Sequence, residues 1–201
     1  HRQVIFRLIV PTIAVAVVIT LAMSGLLRLV GLQPSALVQA LVSAPTALGI
    51  CGYLLSLIDS TYWRNQWVRR LLGIKTPDLN GRWNVEGVSY TPDWPNGLEW
   101  KAKMRTSQTW STISLAQEAD WSTSVSTAAS ICIDGPGRQS VLTYQYHNRP
   151  KAGAFTTMKE HDGLAELRID SDQTPLQLVG EYYSHPRDRS NHGSMVLTPP
   201  S

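Results

Sequence analysis

The sequence predicts a membrane α-helical hairpin joined to an all-β domain, an up-and-down antiparallel barrel of about eight strands. Three observations carry that prediction. Two long uncharged stretches, Leu8–Leu27 and Leu29–Ile58, are separated by Arg28. After Lys75 the pattern changes to short alternating segments punctuated by Gly, Pro, Asn and Asp. Charge divides at the same place: seven basic residues against one acid up to Lys75, then eleven against fourteen. The boundary is therefore drawn between residues 1–75 and 76–201.

The stretch Leu8–Leu27 holds 20 residues, and a helix of that length spans about 30 Å, the thickness of a bilayer's hydrocarbon layer. A signal peptide has a shorter apolar run and leads into a soluble domain. Here Gly31, Gln33, Pro34 and Ser35 read as a tight turn instead. A second spanning helix follows from about Ala36 to Ile58, with Pro45 tolerated inside lipid. Arg2 and Arg7 flank one outer end, and Arg64, Arg69, Arg70 and Lys75 the other. By the positive-inside rule both termini and the whole β domain are expected on the cytoplasmic side of the membrane. Tyr62, Trp63 and Trp67 among those arginines suit a short interfacial helix. Ala36, Ala40 and Ala44, with Gly49 and Gly52 below them, form a small-residue face. It serves either packing within the hairpin or association between copies. The chain begins with His1, which reads as a trimmed or partial chain whose native N-terminal signals are missing.

In the second part, alternation predicts strands at Leu79–Tyr90, Trp100–Thr106, Thr109–Glu118, Thr123–Asp134, Ser140–Tyr146, Leu164–Asp170, Leu176–Tyr183 and Ser194–Thr198. Turns are expected at Pro92–Gly97, Gly135–Gly137 and Asp162–Gly163, and a long loop at Asn148–Phe155. Closing this meander removes its edges, which favours a barrel over a sandwich. A barrel of this strand number can enclose one small ligand.

Composition narrows the function. Charged residues make up only 16% of the chain, and seven Trp and seven Tyr are available for burial, so disorder is excluded. The net charge of +3 resides in the first 75 residues, so the β domain lacks the basic face that a DNA or RNA polymer requires. Cys51 and Cys132 have no disulfide or metal spacing and read as two buried thiols. No phosphate loop, Gly-x-Ser-x-Gly or His-Glu-x-x-His is present. His147, His161, His185 and His192 are scattered over turns and strand ends and read as solvated, so no metal, catalytic residue or cofactor is expected. A binding protein is the favoured class. Trp83, Tyr144, Tyr146 and Tyr182 either stack a planar ligand or fill the core. Arg138, Arg149, Lys151, Arg187 and Arg189 lie near predicted turns, and arginine forks match phosphate geometry. Gly81-x-Trp83 has the form of a lipocalin first strand, which keeps a membrane-tethered carrier of an apolar small molecule as the alternative.

Several segments behind the hairpin carry a family likeness. They are Leu79-Asn80-Gly81-Arg82-Trp83, Gln108-Thr109-Trp110, Leu142-Thr143-Tyr144-Gln145-Tyr146 with Asn148 and Pro150, Gly180-Glu181-Tyr182-Tyr183, and Arg187 to Gly193 followed by Met195 and Leu197. In this order, the chain resembles the two-transmembrane, β-strand-rich effectors of CBASS, the cyclic-oligonucleotide-based anti-phage signalling systems. The resemblance implies a barrel that binds a cyclic oligonucleotide made by a cGAS-like nucleotidyltransferase. It also implies assembly into a homo-oligomer and disruption of the inner membrane, which kills the infected cell. Under it Trp83, Trp110, Tyr144 and Tyr146 are ligand-stacking candidates, and Arg187 and Arg189 are phosphate candidates.

Overall fold

The computed structural model describes residues 2–31, 49–92, 94–133, 140–154, 158–170, 174–184 and 191–200. The chain divides into two units, His1–Lys75 and Thr76–Ser201.

In the first unit, α1 (Arg2–Leu29) is one 28-residue helix that contains the whole uncharged run. Its residues 2–13 and 16 are described by their backbone alone. Over the residues whose side chains are described, no helix is both long and apolar enough to cross a membrane. The expected turn and the start of the second helix, with Ala36, Ala40 and Ala44, lie outside the described residues. The hairpin foreseen from the sequence is therefore not displayed. Residues 49–60 are helical and form α2. After a 3₁₀ turn at Tyr62–Arg64, α3 (Gln66–Leu72) starts on Asn65, whose side chain accepts the Trp67 N–H at 2.9 Å. It ends at Gly73 in the left-handed conformation (φ 68°), which a residue without Cβ adopts at no steric cost. Trp67 and Leu71, four apart on one face, are both exposed, whereas Leu72 and Trp63 are buried. The Arg64 and Arg69 guanidiniums stand 5.5 and 5.8 Å from the Trp63 ring centre.

The second unit is a closed eight-stranded barrel in chain order. Its strands are β1 (Gly81–Thr91), β2 (Trp94–Gln108), β3 (Ile113–Ala119), β4 (Ser122–Cys132), β5 (Ser140–Pro150), β6 (His161–Asp170), β7 (Gln177–Ser184) and β8 (His192–Thr198). Every neighbour is antiparallel, and β1 closes on β8 with Val85 opposite Leu197. Boundaries depart from the sequence reading in four places. The long loop expected at Asn148–Phe155 starts inside β5, where Asn148, Arg149 and Pro150 pair with Ser124, Thr123 and Ser122 of β4. The expected turn Pro92–Gly97 falls largely inside β2, because the β1–β2 pairing continues past a register shift at Ser89/Thr91. Asp162 and Gly163 are paired within β6 rather than forming a turn. Thr109–Thr112 is a turn rather than a strand start, closed by the Thr109 N–H on the Thr112 carbonyl at 2.9 Å. Cys132, expected to be buried, is exposed at the end of β4, while Cys51 is buried.

Side chains alternate inward and outward along each strand. At one end the interior is filled by Leu79, Trp83, Val85, Leu142, Leu167, Ile169, Leu178 and Leu197, all in one buried cluster. The chain entering β1 crosses this end. Gln108 secures it by accepting the Leu79 N–H (2.7 Å) and donating to the Pro77 carbonyl (2.9 Å). Trp83 Nε1 donates to the Leu79 carbonyl at 3.0 Å. With these backbone and indole groups satisfied, this end can exclude water without stranding them.

Candidate functional site

At the opposite end the barrel interior is open. A cavity of about 310 Å³ occupies it, floored by Met104, Leu115, Tyr144 and Met195. That size lies at the lower edge of the range of ~300–1,000 Å³ common for ligand pockets.

One wall is aromatic. Trp100 meets Tyr182 edge-on at 5.8 Å between ring centres and donates its indole N–H to the Tyr182 hydroxyl at 3.1 Å. The same hydroxyl bonds Ser89 Oγ. Tyr144 and Tyr146 lie 6.1 Å apart, and Tyr146 contacts the His161 ring at 6.5 Å. Three of these rings sit opposite a glycine in the strand register: Trp100 faces Gly87, Tyr146 faces Gly163 and Tyr182 faces Gly193. A Cβ on any of the three glycines would overlap the facing ring. The glycines let each ring lie back against the neighbouring strand, which leaves the centre of the barrel empty.

The facing wall is hydroxyl and amide. Ser122, Ser124 and Ser126 of β4 line the cavity at alternate positions, with Gln117 of β3 and Asn148 of β5. Ser124 Oγ donates to Asn148 Oδ1 at 2.7 Å. Ser126 lies at a register shift in β4, and its Oγ accepts the Leu115 N–H at 2.9 Å. His161 is buried, with Nδ1 3.0 Å from the Lys159 carbonyl; since a carbonyl only accepts, that nitrogen carries the proton. The rim is formed by Trp94, Leu98 and Trp121, all exposed.

Tyr144 is the deepest phenol, 5% exposed. Burial pushes its ionisation above the ordinary tyrosine range, and neighbouring Tyr146 adds to the effect. It therefore remains a neutral donor. Lys101 at the rim is held above its ordinary range by its hydrogen bond to Glu86 at 2.7 Å and by the attraction between their charges.

The structure thus brings Tyr144 and Tyr146 together in the cavity. Trp83 lies at the closed end and does not line it. Trp110 is half-buried in the turn after β2, also away from the cavity. Arg187 and Arg189, in the segment joining Ser184 to Asn191, lie outside the described residues, as do Arg138 and His185. Arg149 is 3.8 Å from Glu160, and Lys151 is 3.0 Å from Glu118. Gly49 and Gly52 lie on α2 with no atom within 4 Å of the place a Cβ would take, among the described residues. His147 bonds Asp162 at 2.7 Å and His192 stacks on Tyr90 at 5.7 Å. No group of three or more metal-ligating side chains occurs among the described residues.

The sequence reading missed Gln117, Asn148, Trp94, Trp100 and the β4 serines, and it took His161, which is buried in the cavity lining, for a solvated histidine. The signal was the period-two pattern Ser122-x-Ser124-x-Ser126, a polar stripe on the same face as the aromatics.

A family model describing the Cap15 cyclic dinucleotide receptor domain matches residues 74–199. The chain belongs to that family. The matched region covers the whole barrel, so the cavity lies within a receptor domain, a ligand-sensing rather than a catalytic class. No curated protein matches the chain.

Proposed function

We propose that this protein is a CBASS effector. Its barrel binds a cyclic dinucleotide in the cavity, and its N-terminal helices then disrupt the bacterial inner membrane as copies assemble. The observation that carries the reading is the cavity itself, open, aromatic on one wall and hydrogen-bonding on the other, inside a Cap15 receptor domain. Stacking surfaces accept bases irrespective of sequence. The membrane part is supported by the uncharged run inside α1 and by apolar side chains turned outward there, with Leu21 and Leu29 at 66% and 86% exposure. Exposed Trp67 and Leu71 beside Arg70 on α3 suit the headgroup layer. The barrel and N-terminus face the cytoplasm in this reading, where a cGAS-like nucleotidyltransferase supplies the messenger.

A messenger drives assembly only if it binds the assembled state more tightly than the single copy. The test is dye release from vesicles of phosphatidylethanolamine and phosphatidylglycerol carrying the full chain. Addition of cyclic di-AMP, cyclic di-GMP, cyclic GMP–AMP or cyclic UMP–AMP is expected to release dye with one of them. Binding without release would remove membrane disruption from the proposal. Displacement of a fluorescent fatty acid, with no nucleotide response, would favour the apolar carrier instead.

A further inference from the structure

Resting on the receptor reading above, we infer that the cavity takes its ligand base-first. A single nucleobase enters, the Tyr144 hydroxyl and the Gln117 amide read its edge, and the phosphates remain at the mouth.

The charge distribution supports base-first entry. Among the described lining residues the charged ones are Glu99, Lys101 and Asp120, and all three are exposed. The deeper walls offer hydroxyls, amides, aromatic rings and the His161 imidazole. Moving a phosphodiester into such a space without a paired cation costs several kcal/mol per charge. A base carries no net charge, stacks on Trp100 or Tyr146, and brings donors and acceptors that need partners once water is excluded.

Hydrogen-bond accounting then selects the reading groups. Asn148 is engaged by Ser124, Tyr182 by Ser89 and Trp100, and Ser126 by the Leu115 N–H. Tyr144 differs. Its hydroxyl has one hydrogen-bond partner among the described residues, the Met195 thioether at 4.0 Å. Sulfur at that distance is a weak acceptor. A strong, neutral donor therefore stands at the cavity floor with its capacity nearly unspent, at a cost that a bound acceptor would relieve. Gln117 likewise has no side-chain partner among the described residues while lining the cavity. A glutamine amide presents a donor and an acceptor side by side, the pattern that pairs with a base edge.

The experiment titrates the full chain in lipid nanodiscs with the four cyclic dinucleotides above, using calorimetry. The tightest binder is then taken to Tyr144→Phe and Gln117→Met. Each substitution is expected to weaken binding about tenfold. Melting is expected to change little, and the salt dependence should match the parent's because the phosphate contacts are untouched. A 7-deaza analogue of the same ligand keeps the inference testable if one variant folds poorly. Its loss in affinity on the parent should shrink on whichever variant removes the matching group. Both variants binding within about twofold of the parent, with base preference unchanged, would overturn the base-reading assignment but leave the receptor reading intact. A folded parent that binds no member of the panel overturns both.

Discussion

The two ends of the barrel are built from the same eight strands and are filled in opposite ways. At the closed end the inward positions are aliphatic apart from Trp83, with Leu142, Leu167, Leu178 and Leu197 each at most 1% exposed. Its polar groups are consumed internally, as Gln108 does for Leu79 and Pro77. At the open end one wall carries rings held against glycines, the facing wall carries small hydroxyl side chains, and Tyr144 holds a donor with only a thioether to meet. One end is arranged to keep water out, and the other leaves an open cavity that, in the proposed function, exchanges water for a ligand. Stability and recognition should therefore be separable by mutation along the barrel axis.

The largest effect is expected from Leu167→Ala at the closed end. Removing a fully buried leucine costs about 2–5 kcal/mol. Denaturant unfolding should show that loss, while ligand affinity of the folded protein stays at the parent value. A smaller loss of about 1–3 kcal/mol is expected from Gln108→Leu, which strands the Leu79 N–H and the Pro77 carbonyl without partners. Binding should again be unaffected.

The open end reverses this pattern. Gly163→Ala would put a methyl into the space of the Tyr146 ring. The ring's free edge faces the cavity, so it can swing inward at an overpacking cost near the low end of about 1–3 kcal/mol. Affinity for the cyclic dinucleotide should fall about tenfold while the melting temperature drops by only a few degrees. An unchanged affinity would show that the glycine–aromatic pairs do not hold the cavity open. The smallest effect concerns pH. Tyr144 keeps its proton in the folded state to higher pH than in the unfolded chain, whose tyrosines ionise near pH ~10. Above that pH the unfolded state binds fewer protons, so stability present below it is lost as pH rises. The melting temperature of the parent should decline more steeply above about pH 10 than that of Tyr144→Phe.

The contrast between the ends also explains what the sequence could reveal. Strand number and closure were legible because apolar alternation dominates at the closed end, where Trp83 and Val85 of β1 lie opposite Met104 and Ala102 of β2. Glycines misled at the open end. Gly163 looks like a turn residue beside Asp162, yet it is paired within β6 and makes room for the Tyr146 ring of β5. Gly97 reads as a turn but lies inside β2, at φ 87° beside Val88 and Tyr90. The site was harder to read because inward residues there are polar. Gln117, between Ala116 and Glu118, carries no mark that separates a cavity-facing amide from a solvent-facing one. Tyr144 and Tyr146 were visible as a spaced pair, but only the three-dimensional accounting shows which phenol lacks a strong partner. Trp83 and Trp110 share their aromatic character and belong to the other end.

In the proposed function the open end is a receptor site for a cyclic dinucleotide. Calorimetric titration of that panel into the full chain, with Leu167→Ala and Gly163→Ala alongside, tests it most directly. One member should bind the parent with a micromolar or tighter Kd, an affinity retained by folded Leu167→Ala and weakened in Gly163→Ala. A folded parent that binds none of them would contradict it.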